Sequence, residues 1–333
     1  MTGGASVDGV LVQWGERLFY PGNRIVKTTP MPRLSGSISQ RAKGIRRQIH
    51  ATVTLRAPQV MVKVTGGGRG MAAIAAHFRY ISKNGQRTIE DDRGVEHEGK
   101  DALHDLVDQW RYGGSLIGEA SHRREAFNIM LSMPHGTNPQ AVKGAAREFA
   151  QAALAGHRWV MVLHDHQANP HVHLSVRAES MSGQRLNPRK ADLQRWRETF
   201  AEKLRDRGIQ AEATRQFVRC ANRSHAALWR IKAKDEDRLR TIGADVKTGI
   251  AYELSRRDAL TAWAHVVTAL EHSDDRQDRE LGKNARRFLN DSPYVQEAFQ
   301  RLQRERAVAA RPEPRSIAIP ERSRERSGPE LER

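Results

Sequence analysis

The chain has 333 residues, enough for one substantial domain with extensions or for two small domains. Its 56 Lys and Arg against 39 Asp and Glu give a formal net charge of +17 and a pI of about 10.6, with a mean hydropathy of −0.69. So basic a balance directs the chain to a polyanion, either nucleic acid or an anionic membrane surface, and no apolar run is long enough for a transmembrane helix.

The first residues, Met1-Thr2-Gly3-Gly4-Ala5, lack a charged stretch followed by an apolar one, so export through a cleaved signal peptide is not expected. The expected location is the cytoplasm. Residues 1–57 hold Gly, Ser, Pro and scattered Arg, and read as a basic, largely irregular N-terminal extension with one short helix around Gln40–Ile49. From Arg17 to Ile89 there are fourteen Lys or Arg and no Asp or Glu. Solvated helical faces normally alternate sign, so this run reads as a polyanion-binding region whose affinity should fall steeply with salt. A basic arm without a specific partner is the alternative for residues 1–57.

At Gln59 the pattern changes. Val60, Val62 and Val64 alternate with Met61, Lys63 and Thr65, which is strand periodicity. Gly66-Gly67-Gly68-Arg69-Gly70 ends that strand, and Met71–Lys83, rich in alanine, predicts a helix. A polar connection runs from Asn84 to about Gly99, and a helix is expected over Ala102–Arg111. Glu125–Met133 reads as a strand with Phe127, Ile129, Leu131 and Met133 on one face. Pro134 to Thr137 is a turn, and Thr137 or Asn138 caps a helix over Pro139–Ala155. Two valine-rich strands follow, then a charged amphipathic helix over Leu193–Arg207 that stops at Gly208. The order strand, helix, strand, helix, strand, strand, helix fits an α+β domain with an antiparallel sheet over residues 58–220. Cys220 is the sole cysteine, which excludes an intramolecular disulfide framework and reads as an idle thiol. Residues 221–310 look helical, with breaks near Gly243 and Gly249. The tail 311–333, made largely of Arg, Glu, Pro and Ser, is expected to be disordered.

The chemistry concentrates in His164-Asp165-His166-Gln167-Ala168-Asn169-Pro170-His171-Val172-His173. Val160, Val162, Val172, Leu174 and Val176 make the flanks strands, with His171, His173 and Ser175 on the face opposite Val172, Leu174 and Val176. A turn at Asn169-Pro170 can return His164 beside them, so that three imidazoles aim at one divalent ion with positions left open for a substrate oxygen. The competing reading is that these histidines simply face water. The glycine loop invites comparison with a phosphate cradle, but no Lys-Ser or Lys-Thr follows it, so a nucleotide triphosphate site is not expected. It reads as a tight strand-to-helix turn with affinity for DNA backbone, or as turn geometry alone. On the next helix His77 and Tyr80 stand three apart and share a face. A tyrosine there is ordinarily a packing residue. A phenol attacks a phosphodiester only when a cation or base assists it.

Taken together, Val64-Thr65-Gly66-Gly67-Gly68, Tyr80-Ile81-Ser82-Lys83-Asn84-Gly85, Leu131-Ser132-Met133-Pro134-His135-Gly136-Thr137 and His164 with Asn169-Pro170-His171-Val172-His173 resemble the mobilization relaxases. These are HUH-type endonucleases of conjugative plasmids and integrative elements, and the likeness is to the T-DNA border-nicking branch. The blocks stand in the family's order across residues 58–215. The resemblance implies an antiparallel sheet with helices around it and a site- and strand-specific transesterase. Tyr80 would attack the scissile phosphodiester, stay joined to the 5′ phosphate and release a 3′ hydroxyl, in a reversible step. His164, His171 and His173 would hold the divalent metal, Mg or Mn. The branch often carries Asp two residues after the first metal histidine, where this chain has His166, so Asp165 or His166 would orient a histidine or assist the tyrosine. Asn128 stands where relatives frequently have His.

The resemblance also implies a bacterial protein that works on single-stranded or unwound transfer-origin DNA with accessory mobilization proteins. A type IV secretion coupling protein would carry it to a recipient cell, and the Arg-rich tail after Arg311 has the flavour of such a signal. Arg69, Arg79, Lys83, Arg185, Arg189 and Lys190 are the candidate DNA contacts, with Arg195 and Arg197 nearby on a helix that also pairs its charges. Trp196 and Trp229 suit base stacking or core packing. Two rivals stay open: a non-catalytic DNA-binding mobilization protein, and a metal-dependent nuclease in which water attacks.

Overall fold

Six short strands with alternating side chains build one antiparallel sheet, and helices cover both of its faces. The computed structural model describes residues 6–20, 34–165, 169–214, 217–220 and 249–309. The strands are β1 (Met61–Gly66), β2 (Ile89–Asp91), β3 (Glu96–His97), β4 (Ala126–Ser132), β5 (Trp159–His164) and β6 (His171–Arg177), in the spatial order β1-β4-β6-β5-β2-β3. β4 pairs with β6 from Ala126 opposite Arg177 to Ser132 opposite His171, and β5 with β6 from Trp159 opposite Val176 to His164 opposite His171.

One face carries Val62, Phe127, Ile129, Leu131, Met161, Val172, Leu174 and Val176, buried beneath α5 (Pro139–Ala153) and α6 (Lys190–Asp206). Asn138 caps α5, its side-chain oxygen accepting from the amides of Gln140 and Ala141 at 2.9 and 3.2 Å. The opposite face carries Ala126, Val160 and Val162 beneath α3 (Met71–Ile81) and α4 (Gly99–Tyr112), which contribute Ile74, Phe78, Ile81, Leu106 and Trp110. Burial alternates along β4 as the sequence does, whereas β5 and β6 are covered on both faces.

The short hairpin β2–β3 lies inside the stretch expected to be a plain polar connection. Its strands hold three and two residues, too few to show a period. Its interior is also charged: Glu90 is buried against Arg147 and Lys143, and Asp91 against Arg93. Those partners lie elsewhere in the chain or in the turn, so the sequence reads as polar loop while the structure buries paired ions.

The reading of residues 1–57 as largely irregular is corrected. A continuous helix, α1, passes through Val7–Val10, a π turn at Leu11–Gly15 and Glu16–Phe19, and α2 covers Ile38–Val53. Both bury apolar stripes against the C-terminal helices α7 (Ile250–Glu271) and α8 (Arg276–Asn290) in a third core, where Leu11, Leu18, Ile45 and Ile49 meet Trp263, Val266 and Leu270. A long helix partner distant in sequence is what the short apolar runs required. The last described helix, α9, spans Pro293–Ala309. Cys220 is buried in this core, and its thiol is pushed up to about 11, chiefly by burial. No described helix is long and apolar enough to cross a membrane. His166, Trp229, Gly243 and the tail after Arg311 lie outside the described residues.

Candidate active site

His164 closes β5 and His171 opens β6, directly opposite one another, and His173 follows two residues later on the same face. Their ring centroids lie 5.1, 4.7 and 5.1 Å apart, and one ligand nitrogen from each lies within 4.8 Å of the others. Water does not cover this face. His164 and His171 are each only 6 % exposed, because α3 lies over that part of the sheet.

Two of the rings are held by backbone. His164 Nε2 lies 2.8 Å from the Ile81 carbonyl and His171 Nδ1 lies 2.9 Å from the Asn169 carbonyl, so each donates one N–H and presents the other nitrogen as an acceptor. Burial, then the neighbouring imidazoles of His164 and His171, push His173 down to about 3, leaving it neutral near pH 7. Imidazole lone pairs fixed by a hydrogen bond on the far nitrogen are the donor set a divalent transition ion takes, so the residues fit one metal.

The Ile81 carbonyl is available because of how α3 stops. In a continuing helix it would accept from the Gly85 amide, but that amide donates to Ser82 Oγ at 3.0 Å, and Ser82 Oγ donates to the Phe78 carbonyl at 2.7 Å. Lys83, Asn84 and Gly85 then take φ values of 51, 57 and 83°, turning the chain out of the helix. The sequence Tyr80-Ile81-Ser82-Lys83-Asn84-Gly85 is thus a helix stop that clamps His164 and leaves Tyr80 on the rim, 71 % exposed. One turn earlier, His77 lies with its ring 6.3 Å from Tyr80 and 6.4 Å from His173. Its Nε2 is buried with no hydrogen-bond partner among the described residues, and burial lowers its pKa.

Residues 80–209 match the family described as Relaxase: MobA/VirD2-like, nuclease domain. The chain carries a relaxase domain. No curated protein matches the chain. The match begins at Tyr80, includes the three histidines and ends just beyond α6, and His77 lies just before it.

The glycine loop is not the phosphate cradle that its composition suggested. The Gly68 amide donates to the Ala126 carbonyl, Met71 to Gly118 and Ala72 to Glu119, at 3.1, 2.9 and 3.2 Å. The N-terminus of α3 therefore has protein carbonyls where an anion would sit.

The remaining candidates divide. Arg69, Arg79 and Lys83 are exposed and make no ion pair among the described residues. Arg185 is tied to Glu179 at 3.1 Å, to Glu125 at 3.4 Å and to the Arg124 carbonyl at 2.6 Å. Arg189 and Lys190 are exposed at the start of α6, where the Arg189 amide donates to Asp192. Arg195 pairs with Asp192, and Arg197 is half-buried beside the Val62 carbonyl. Trp196 packs in the core against Phe149. Asp165 is half-exposed and 3.4 Å from Arg87, whose guanidinium also reaches the Leu163 carbonyl at 3.1 Å. Asn128 pairs with Ser175, whose hydroxyl donates to it at 3.2 Å, two residues along from the row of His173.

Sequence reasoning missed the platform beside the histidine cluster. Lys63 stands opposite Met130, which stands opposite His173, so Met61, Lys63 and Met130 extend the histidine face past the edge of α3 towards solvent. The parity of β1 was readable, but which strand lay next to it was not.

Proposed function

We propose that the protein is a relaxase that nicks and rejoins one DNA strand at a transfer origin, starting conjugative transfer or mobilization. The observation that carries this reading is the joint between Tyr80 and the histidine cluster: the carbonyl immediately after the tyrosine holds His164. An exposed phenol is thereby kept beside three imidazoles carried on the sheet.

Tyr80 Oη attacks the scissile phosphorus and loses its proton. A new oxygen–phosphorus bond joins the tyrosine to the 5′ phosphate, and the 3′ oxygen leaves, taking up a proton. Because one phosphodiester replaces another, the same step run backwards reseals the strand. A divalent ion, Mg or Mn, held by His164, His171 and His173 supplies positive charge to the phosphate oxygens when bound. Asp165 or His166 orients a histidine or assists the tyrosine. Arg79 and Lys83 hold phosphates on either side of the nick, with Arg69, Arg185, Arg189 and Lys190 further off; of these last four, Arg185 is the most committed to carboxylates. Within the family, the resemblance of the sequence blocks taken together supports a place near the T-DNA border-nicking branch. Accessory mobilization proteins open the duplex, and a type IV secretion coupling protein receives the complex in the bacterial cytoplasm and passes it to the recipient cell. Residues 58–220 form the nicking domain in this reading, and the helices α7, α8 and α9 follow it.

The test uses supercoiled plasmid carrying DNA from beside the protein's own gene, with Mg or Mn, denatured by detergent after incubation. The expected product is a nicked circle with protein on its 5′ end, absent with Tyr80→Phe. Nicking without attached protein would point to the water-using nuclease. Binding without nicking on any DNA would point to the non-catalytic mobilization protein.

A further inference from the structure

Beyond the nick site, the structure assigns a nucleotide pocket to the other side of the sheet. A cavity of about 370 Å³ opens between the glycine loop, the start of β4 and the start of α6. Val64, Phe127 and Leu193 form its apolar floor, and Arg69, Arg124 and Asn187 stand around it. The floor belongs to the core beneath α5 and α6, so the cavity lies on the sheet face opposite the histidines.

Charge distinguishes this cavity from its surroundings. The neighbouring guanidiniums of Arg123 and Arg185 are neutralised by Glu125 and Glu179. Arg69 and Arg124 have no carboxylate partner among the described residues. The Arg124 guanidinium lies over the Phe127 ring, 5.1 Å from its centroid, which holds the cation above an apolar floor. Two uncommitted guanidiniums, an apolar slot and an amide that both donates and accepts match the chemistry of one nucleotide. The base fills the slot and stacks on the Arg124 plane, Asn187 meets the base edge, and Arg69 takes the phosphate. We infer that a single base of the DNA strand, away from the scissile phosphate, is bound here and contributes to choosing the site. This rests on the relaxase reading above.

Labelled single strands tiled across DNA beside the gene are titrated by fluorescence anisotropy, and the tightest binder is remade with an abasic residue at each position in turn. At one position the missing base is expected to weaken the wild-type protein about tenfold. At that position Arg124→Gln and Asn187→Ala should bind the intact and abasic strands alike, with melting temperatures unchanged. A flat abasic profile in the wild-type protein overturns the pocket, as does a pair of variants that keep the wild-type profile. If both variants weaken all strands by one factor and keep the position-dependent loss, the arginine is a phosphate contact only and the pocket is again overturned. A flat profile together with a Tyr80 adduct removes the pocket and leaves the relaxase reading standing, whereas a protein that binds no strand at all overturns both.

Discussion

At the scale of single residues, the account depends on nitrogen atoms whose second ring position is already fixed. His171 has its Nδ1 hydrogen on the carbonyl of exposed Asn169, so truncating it removes a ligand and leaves an acceptor that water can reach. His171→Ala is expected to weaken Mn binding by at least about tenfold, measured by calorimetry, with little change in fold. His173 makes a second prediction. Its pKa is lowered from 6.5 to about 3 in the folded chain, so the unfolded chain binds the extra proton between those values. Stability without metal should be full above pH 6.5 and decline as the pH falls towards 3. His173→Gln should flatten that decline in a chelator-treated sample followed by circular dichroism. The histidines were legible because strand parity alone fixes which side chains share a face. The partnerless nitrogen of His77 was not, because it depends on what α3 lies against.

At the scale of elements, two joints place the site: the stop of α3 after Tyr80 and its start at Gly70. Gly70 has φ of 98°, and a Cβ there would stand 2.3 Å from the Glu119 carbonyl oxygen. Gly70→Ala should therefore cost about 1–3 kcal/mol in chemical denaturation and displace Tyr80 relative to His164, lowering nicking as well. The long strands and α3, α5 and α6 were readable from periodicity and caps. The hairpin β2–β3 was not, because Glu90 and Asp91 are buried on the strength of Arg147, Lys143 and Arg93. At the glycine loop and the start of α3 the sequence could not show that the amides of Gly68, Met71 and Ala72 are taken, because Ala126, Gly118 and Glu119 come from further along the chain.

At the scale of the whole molecule, the acid-free run from Arg17 to Ile89 is divided by folding. Arg41 pairs with Glu16, and Arg46 with Asp8 and Asp278, both at 2.7 Å. Asp278 is held below the usual carboxylate range chiefly by its hydrogen bonds from Arg46. These charges bind α2 to α1 and α8, leaving Lys63, Arg69, Arg79 and Lys83 among the part of the run that faces outward. The net charge was visible in the sequence, but its allocation needed the long-range pairs and the shared core that makes α1 and α2 companions of α7 and α8. Lys83→Ala is expected to lower the slope of log affinity against log salt by about 0.7 on single-stranded DNA, whereas replacing Arg46 should leave that slope unchanged.

The most direct measurement of the central claim is mass spectrometry of the protein after reaction with a single strand containing the nick site, digested to peptides and nucleotides. The account predicts a nucleotide joined through its 5′ phosphate to the peptide carrying Tyr80. Cleaved DNA with that peptide unmodified, or the nucleotide found on another residue, would contradict it.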